Sequence, residues 1–262
     1  MIASLAPCFA GTLGPYAGML ALPGAHAGPV AGRDLREAGT VEVLLARFAA
    51  NYPGGDRRAL ISMWTQWHFA VAVIPTVAAI LVLDRDLPVD LDETALALDA
   101  AGRPAAMVLP GEGRPFGADA TARFARLLDG HVAPLIDTLV RHFGVSRRLL
   151  WTNAGAIFEW ALQQAAERAL PAPLGEGRAL LASRSDAAGR PNPLFDAVRY
   201  PCTGGVPVRQ RKVCCLRYLL PGVADCGDLC PLPDVGGAIA RKARQVAWRR
   251  EAELFRRARR VR

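Results

Sequence analysis

The sequence predicts an α+β protein: a predominantly helical domain with one β-hairpin, followed by a small Cys-rich C-terminal module. Three observations carry this. Apolar residues recur at helical spacing through much of 34–169, an alternating segment at 91–98 is followed by a turn and a second apolar run, and five of the six cysteines crowd between positions 202 and 230. With 262 residues, 52% hydrophobic and 21% charged, the chain has material for a real core and is too apolar to be disordered. Six cysteines in that length are too few for a disulfide scaffold, so a small secreted knot is excluded and the core must come from ordinary packing.

Taken in order, residues 1–32 hold four Pro and six Gly, and a coil-like lead segment is expected there. From Asp34 to Ala50 the apolar positions Leu35, Val41, Val43, Leu44, Leu45 and Phe48 fit one or two helical stripes, which Asn51-Tyr52-Pro53-Gly54-Gly55 terminates. Asp56 suits the N-cap of a second helix running through Trp64 and Trp67 to Ile74, where Pro75 is expected to kink or break it. The longest apolar run, Phe69 to Leu83, has 15 residues. That falls short of the roughly 18 to 20 needed to span a bilayer, so a buried core helix is expected. Leu91 to Leu98 alternates, Asp99 to Arg103 is turn-like, and Ala105 to Leu109 is apolar again, which is a hairpin pattern. Asp119–His142 and Ser146–Ala169 return to helical spacing and predict two long, mostly buried helices. The Pro/Gly-rich stretch 171–193 reads as a linker. The expected organisation is therefore a lead segment (1–32), a mainly helical domain (33–192) and a Cys-rich module (193–262) ending in a basic helix.

Charge divides the chain in the same way. Residues 199–262 carry 15 Lys and Arg against 5 Asp and Glu, whereas the remainder carries 17 against 19. The net charge of +8 thus belongs to the last quarter, and any anionic partner is expected to meet the protein there. Arg241 to Arg262 fits a basic amphipathic helix, suited to a solvated end or to peripheral contact with an anionic membrane surface. The first basic residue is Arg33, so the opening lacks the positive region of an export signal and a cytoplasmic location is expected, with the basic end able to meet the inner face of the cytoplasmic membrane.

The chemistry lies in the segment from Arg211 to Pro231, whose cysteines read C-C-x10-C-x3-C-P at Cys214, Cys215, Cys226 and Cys230. Four thiolates can saturate two sulfide-bridged irons or one tetrahedral zinc, and Pro221-Gly222 lets the chain reverse so that the two pairs converge. Adjacent cysteines suit a single zinc poorly, because structural zinc sites use C-x2-4-C pairs at both corners. A wider two-iron centre accommodates them more readily, which favours iron.

This pattern, with Leu216-Arg217-Tyr218 and Pro221-Gly222 between the pairs and Cys230-Pro231 at the close, resembles the C-terminal motif of FhuF-type ferric-siderophore reductases. Trp64-Thr65-Gln66-Trp67-His68-Phe69 and Leu150-Trp151-Thr152-Asn153 resemble weaker landmarks of that family. One departure is visible: Gly227-Asp228-Leu229 makes the final pair C-x3-C, where the family has C-x2-C, which puts the aim of Cys230 in question and leaves Cys202 open as a substitute ligand.

The resemblance implies a [2Fe-2S] cluster on Cys214, Cys215, Cys226 and Cys230, a ferric siderophore of hydroxamate type as substrate, a protein electron donor, and one-electron reduction of chelated Fe(III). Such an enzyme is an oxidoreductase acting on metal ions and serves iron acquisition. Release follows from coordination chemistry, since hard Fe(III) suits chelator oxygens better than Fe(II) does. No catalytic residue beyond the cluster is implied.

Other residues take secondary roles in this reading. Arg211, Lys212 and Arg217 would favour the more negative reduced cluster or dock an acidic donor. Trp64, Trp67 and Trp151 are candidates to line a cleft for a bulky chelate, although aromatics at helical spacing ordinarily fill cores. Asn153, polar in an apolar helix, joins them as a substrate-binding candidate. His26, His68, His131 and His142 have no metal-ligand spacing, and Cys8 and Cys202 fit plain thiols. No phosphate-binding or dinucleotide-binding glycine motif occurs, so electrons are expected from another protein. Two alternatives stand beside this reading: a zinc-stabilised nucleic-acid-binding protein, resting on the basic end, and an iron–sulfur siderophore-binding protein without catalysis.

Overall fold

A computed structural model describes residues 1–186, 189–203, 205–224 and 226–232. The fold is α+β. Helices α1 (Ala38–Ala49), α2 (Arg57–Leu83), α3 (Ala125–Leu127), α4 (Ala133–Phe143), α5 (Arg147–Ala165) and α6 (Pro171–Ala182) surround a central α2, with a π-helical turn, Leu128–Val132, feeding α4. A four-stranded sheet covers one side in the order β1-β5-β4-β2, built from β1 (Leu20–Ala21), β2 (Val30–Ala31), β4 (Ala95–Leu98) and β5 (Pro104–Val108). The expected hairpin is its centre: β4 and β5 pair antiparallel with Ala95 opposite Val108, while β1 joins parallel, with Leu20 opposite Met107. The short ribbons are β3 (Arg85–Asp86) with β6 (Arg114–Pro115), β8 (Cys202–Thr203) with β9 (Val206–Pro207), and β7 (Val198–Arg199) with β10 (Gln210–Arg211).

Helix α2 organises the core. The Asp56 carboxylate caps it by accepting from the Arg58 and Ala59 backbone N–H groups, and Asp84 closes it in a left-handed conformation, φ 45°. A helix apolar on nearly every side is stable in water only when enclosed. Enclosure explains why Pro75 does not end it: the ring removes one N–H from the ladder, but both flanks stay buried and α2 runs unbroken past it. This helix is 27 residues long, longer than the 15-residue apolar run suggests, and is long and apolar enough to cross a membrane. Its most apolar window is 72% buried inside the fold, as befits a core helix.

Two expectations are corrected. The lead segment is not loose: Ala3–Cys8 and Gly11–Tyr16 form 3-10 turns, and Ile2, Leu5, Cys8, Leu13 and Met19 are buried in the main core. Pro and Gly forbid a long helix there, but they leave short turns whose larger apolar residues Leu5 and Leu13 face inward. The expected linker at 171–193 begins with α6. Pro171 starts the helix at a position where the missing N–H costs nothing, and Gly177 permits close packing on α5, where a Cβ would stand 2.6 Å from the Leu162 side chain.

The apolar core runs continuously from Ile2 to Leu220, and Leu194 and Leu220 carry it into the Cys-rich region. Gly155 on α5 makes the close approach possible: a Cβ there would stand 2.5 Å from that of Ala197. The basic terminal helix expected at 241–262 lies outside the described residues.

Candidate iron–sulfur centre

Strand β10 and the loop that follows it bring the thiols against α2 and α5. Alternation along an extended chain sends successive side chains to opposite sides, and the contacts of residues 209–211 follow that rule. Arg209 reaches α5, its Nε 2.6 Å from Glu159 Oε2, and Arg211 donates to Asn153 on the same helix, whereas Gln210 donates from Nε2 to the Cys230 carbonyl at 2.9 Å. One short strand thus ties the cysteine loop to the helical core and holds its far end.

The adjacent cysteines lie in a turn that points backbone donors at sulfur. Leu216 adopts a left-handed conformation, φ 63°, and its N–H lies 3.3 Å from Cys214 Sγ. The next N–H, that of Arg217, donates to Cys215. Successive N–H groups in such a turn form an anion-binding concavity of the kind found at iron–sulfur sites. A left-handed leucine costs on the order of 1 kcal/mol, held here by the packing of Leu216 on the core.

The four cysteines of the motif lie as two pairs. Cys215 Sγ and Cys226 Sγ are 3.8 Å apart, and the Cys214 thiol interacts with Cys230. Two thiolates on one tetrahedral metal with bonds of about 2.3 Å stand about 3.8 Å apart. Among the described residues no three His, Cys, Asp or Glu side chains gather as a ready-made site for a metal ion. Two separate pairs suit a binuclear centre better than one tetrahedral ion, because each iron takes two thiolates. The extra residue in C-x3-C is taken up by a 3-10 turn, Gly227–Leu229, which starts at a left-handed Gly227, φ 59°, and closes with the Cys230 N–H on the Gly227 carbonyl at 2.9 Å. Cys202 is exposed on β8, and Cys8 is buried elsewhere in the core, its thiol pushed up to about 11 by burial.

The electrostatics favour thiolate in the inner pair. The Cys226 thiol donates to Cys215 and holds its pKa well below the usual value against the effect of burial, helped by the Arg211 charge, the Arg217 N–H and the Arg217 charge. Cys226 is pushed up by donating that proton and by burial. Cys214 is raised by burial.

The remaining candidates separate clearly. Asn153 is fully buried: its Nδ2 donates to the Ser62 carbonyl at 3.2 Å and Ser62 Oγ at 3.0 Å, and its Oδ1 accepts from Arg211. Its polar atoms are taken up by α2 and by Arg211, which leaves none open to the chelate contact expected from sequence. Trp64 is 0% exposed and Trp151 7%, so both are packing residues with no open face for a chelate. Trp67 is half-buried, with the Arg103 guanidinium 5.1 Å above its ring, and is the only one of the three to keep a partly accessible face. Arg211 is buried and therefore cannot dock a donor. Lys212 pairs with Asp196, and Arg217 stands next to the thiols, half-buried.

Sequence reasoning missed Ser62 and Gln66. Ser62 Oγ donates to the Cys215 carbonyl at 2.7 Å, and Gln66 accepts from Arg211 at 3.1 Å. Their signal is polarity: Ser62, Thr65 and Gln66 share one face of an otherwise apolar helix, and buried polar groups need partners.

Two thiol pairs beside backbone N–H donors are an arrangement that suits a two-iron cluster. Residues 211–232 match the FhuF 2Fe-2S C-terminal domain, and the chain accordingly carries a [2Fe-2S] cluster. Residues 62–202, over half of the chain, match the family described as ferric iron reductase FhuF-like transporter. The chain belongs to the FhuF family. It is similar to the ferric siderophore reductase of Escherichia coli (strain K12), with 27% identity over 176 residues, a match covering 66% of this chain and 66% of that relative.

Proposed function

We propose that the protein is a ferric-siderophore reductase, with Cys214, Cys215, Cys226 and Cys230 as the ligands of its cluster. The reading is carried by the convergence of the four thiols in two pairs beneath backbone N–H donors. The bound cluster supplies one-electron redox chemistry at a fixed point. The chain's own residues do the rest. The N–H groups of Leu216 and Arg217 stabilise thiolate, Gln210 fixes the Cys230 backbone, and Ser62 fixes that of Cys215. Burial of Cys215 at the helix interface limits access of water to that ligand.

In the overall reaction an external protein donor loses one electron and the chelated Fe(III) gains it, becoming Fe(II). The siderophore loses no covalent bond, because its oxygen ligands hold Fe(II) less tightly than Fe(III). A hydroxamate chelate is the proposed substrate. The site proposed for it is the cysteine-loop surface beside half-exposed Cys214 and Cys230, since the buried Trp64 and Trp151 offer it no wall.

Single-turnover mixing tests this. Protein reduced with dithionite and desalted anaerobically, then mixed with a ferric hydroxamate, is expected to be reoxidised while one Fe(II) per cluster appears in a ferrous trap. Reoxidation no faster than in a chelate-free control overturns the reductase reading and leaves a siderophore-binding protein.

A further inference from the structure

Arg211 occupies an unusual position among the cations of the cysteine region. Its neighbours in sequence have carboxylate partners, Arg209 with Glu159 and Lys212 with Asp196, and both are more exposed. Arg211 is 5% exposed, and among the described residues no carboxylate pairs with it. Its hydrogen-bond partners are neutral amides: Nη1 donates to Gln66 Oε1 and Nη2 to Asn153 Oδ1, while Nε, also buried, has no partner among the described residues. Asn153 is itself fixed by Ser62, whose hydroxyl holds the Cys215 backbone. Burial disfavours its ionised form, and the charges that oppose this are those of Cys215 and Cys226.

A guanidinium stays protonated in proteins, and a buried charge without a counter-ion is strongly unfavourable. Four thiolates, two ferric ions and two sulfides sum to a charge of minus two, and reduction makes it minus three. We infer that Arg211 is the internal counter-cation of the cluster, clamped by Asn153 and Gln66, and that it sets the one-electron equilibrium in favour of the reduced state. This rests on the proposed cysteine ligation. The added electron gains a fixed, poorly screened positive charge beside it, an interaction stronger in the helix interface than on the surface. Arg211 touches neither donor nor chelate in this reading and is a positioning and tuning residue.

The test is an anaerobic optical redox titration of the full chain, with iron and sulfide assayed on the same samples. Wild type without iron and sulfide refutes the ligation and not the counter-cation. With the cluster present, Arg211→Met is expected to shift the one-electron equilibrium at least tenfold toward the oxidised state, about 59 mV. Arg211→Lys is expected to recover most of that shift, and Lys212→Met to move it less than threefold. A loaded Arg211→Met protein within threefold of wild type, or an equal shift in Lys212→Met, overturns the inference. Should Arg211→Met not load, Arg211→Gln takes its place. Failure of both neutral variants with normal loading of Arg211→Lys supports a requirement for charge, and failure of all three variants overturns it in favour of fork geometry.

Discussion

Cys215→Ser and Cys226→Ser are each expected to give colourless protein that has lost most of its iron and sulfide and all single-turnover reduction of a ferric hydroxamate. These two residues form the inner pair, 3.8 Å apart, and Cys215 is buried against α2. An alkoxide ligand is much harder to form than a thiolate, so serine leaves one iron underligated in a site without a spare donor among the described residues. Cys214→Ser and Cys230→Ser act at the second pair and are expected to give the same loss. Cys8→Ser and Cys202→Ser are the controls: one thiol is buried in the core away from the loop, the other is exposed on β8, and both variants should keep colour and metal. Retention of the cluster in Cys230→Ser together with its loss in Cys202→Ser would transfer the fourth ligand to Cys202. Iron, sulfide and the visible spectrum, measured on all six variants, decide it.

The second large effect is on acid stability. His68 on α2 and His131 in the π-helical turn are both buried, with their Nε2 atoms 2.8 Å apart. His131 Nδ1 lies 2.8 Å from the Val89 carbonyl, which can only accept, so Nδ1 carries the proton and Nε2 must accept from His68 Nε2–H. Burial keeps both rings neutral at pH 7, and His68 Nδ1 has no partner among the described residues. Burial pushes His131 down to about 4, opposed by its bond to Val89 and by the nearby Asp90 charge, itself paired with Arg126. His68 is pushed well below its usual value by burial and then by His131.

The sign follows from linkage. Between the unfolded value near 6.5 and the folded value, the unfolded chain binds more protons, so stability is full above about pH 6.5 and is lost as pH falls toward 4. His131 alone accounts for about 2 to 3 kcal/mol between pH 7 and pH 4.5, and His68 adds in the same direction. Urea unfolding midpoints should therefore fall steeply over that range in wild type and much less in the His68→Gln, His131→Gln double variant. Equal slopes in the two proteins would show that another group carries the acid response.

Different parts of the chain were readable from sequence for different physical reasons. The start of the helix at 57, the helix at 147–165 and the hairpin at 95–108 follow from periodicity, from the Asp56 cap and from the turn at Asp99 to Arg103, which act locally, whereas the passage of the first helix through Pro75 depends on its enclosure. The cysteine motif was visible because Pro221-Gly222 and the spacing constrain a short loop. The packed N-terminal turns were not visible: 3-10 turns leave little periodic signal, and burial of Leu5 or Leu13 depends on the distant surface they meet. Helix α6 was hidden by its own prolines and glycines, which mark loops statistically but here start a helix and allow close contact with Leu162. The burial of Arg211 was unreadable for the same reason. In sequence it belongs to a basic run, and only the approach of β10 to Asn153 and Gln66 distinguishes it from Lys212.

Metal and sulfide analysis of anaerobically purified full-length protein, read with its visible and electron-resonance spectra, is the most direct check. The account predicts two irons and two acid-labile sulfides per chain, a reddish protein, and a paramagnetic signal on one-electron reduction. One zinc per chain with no sulfide would contradict it.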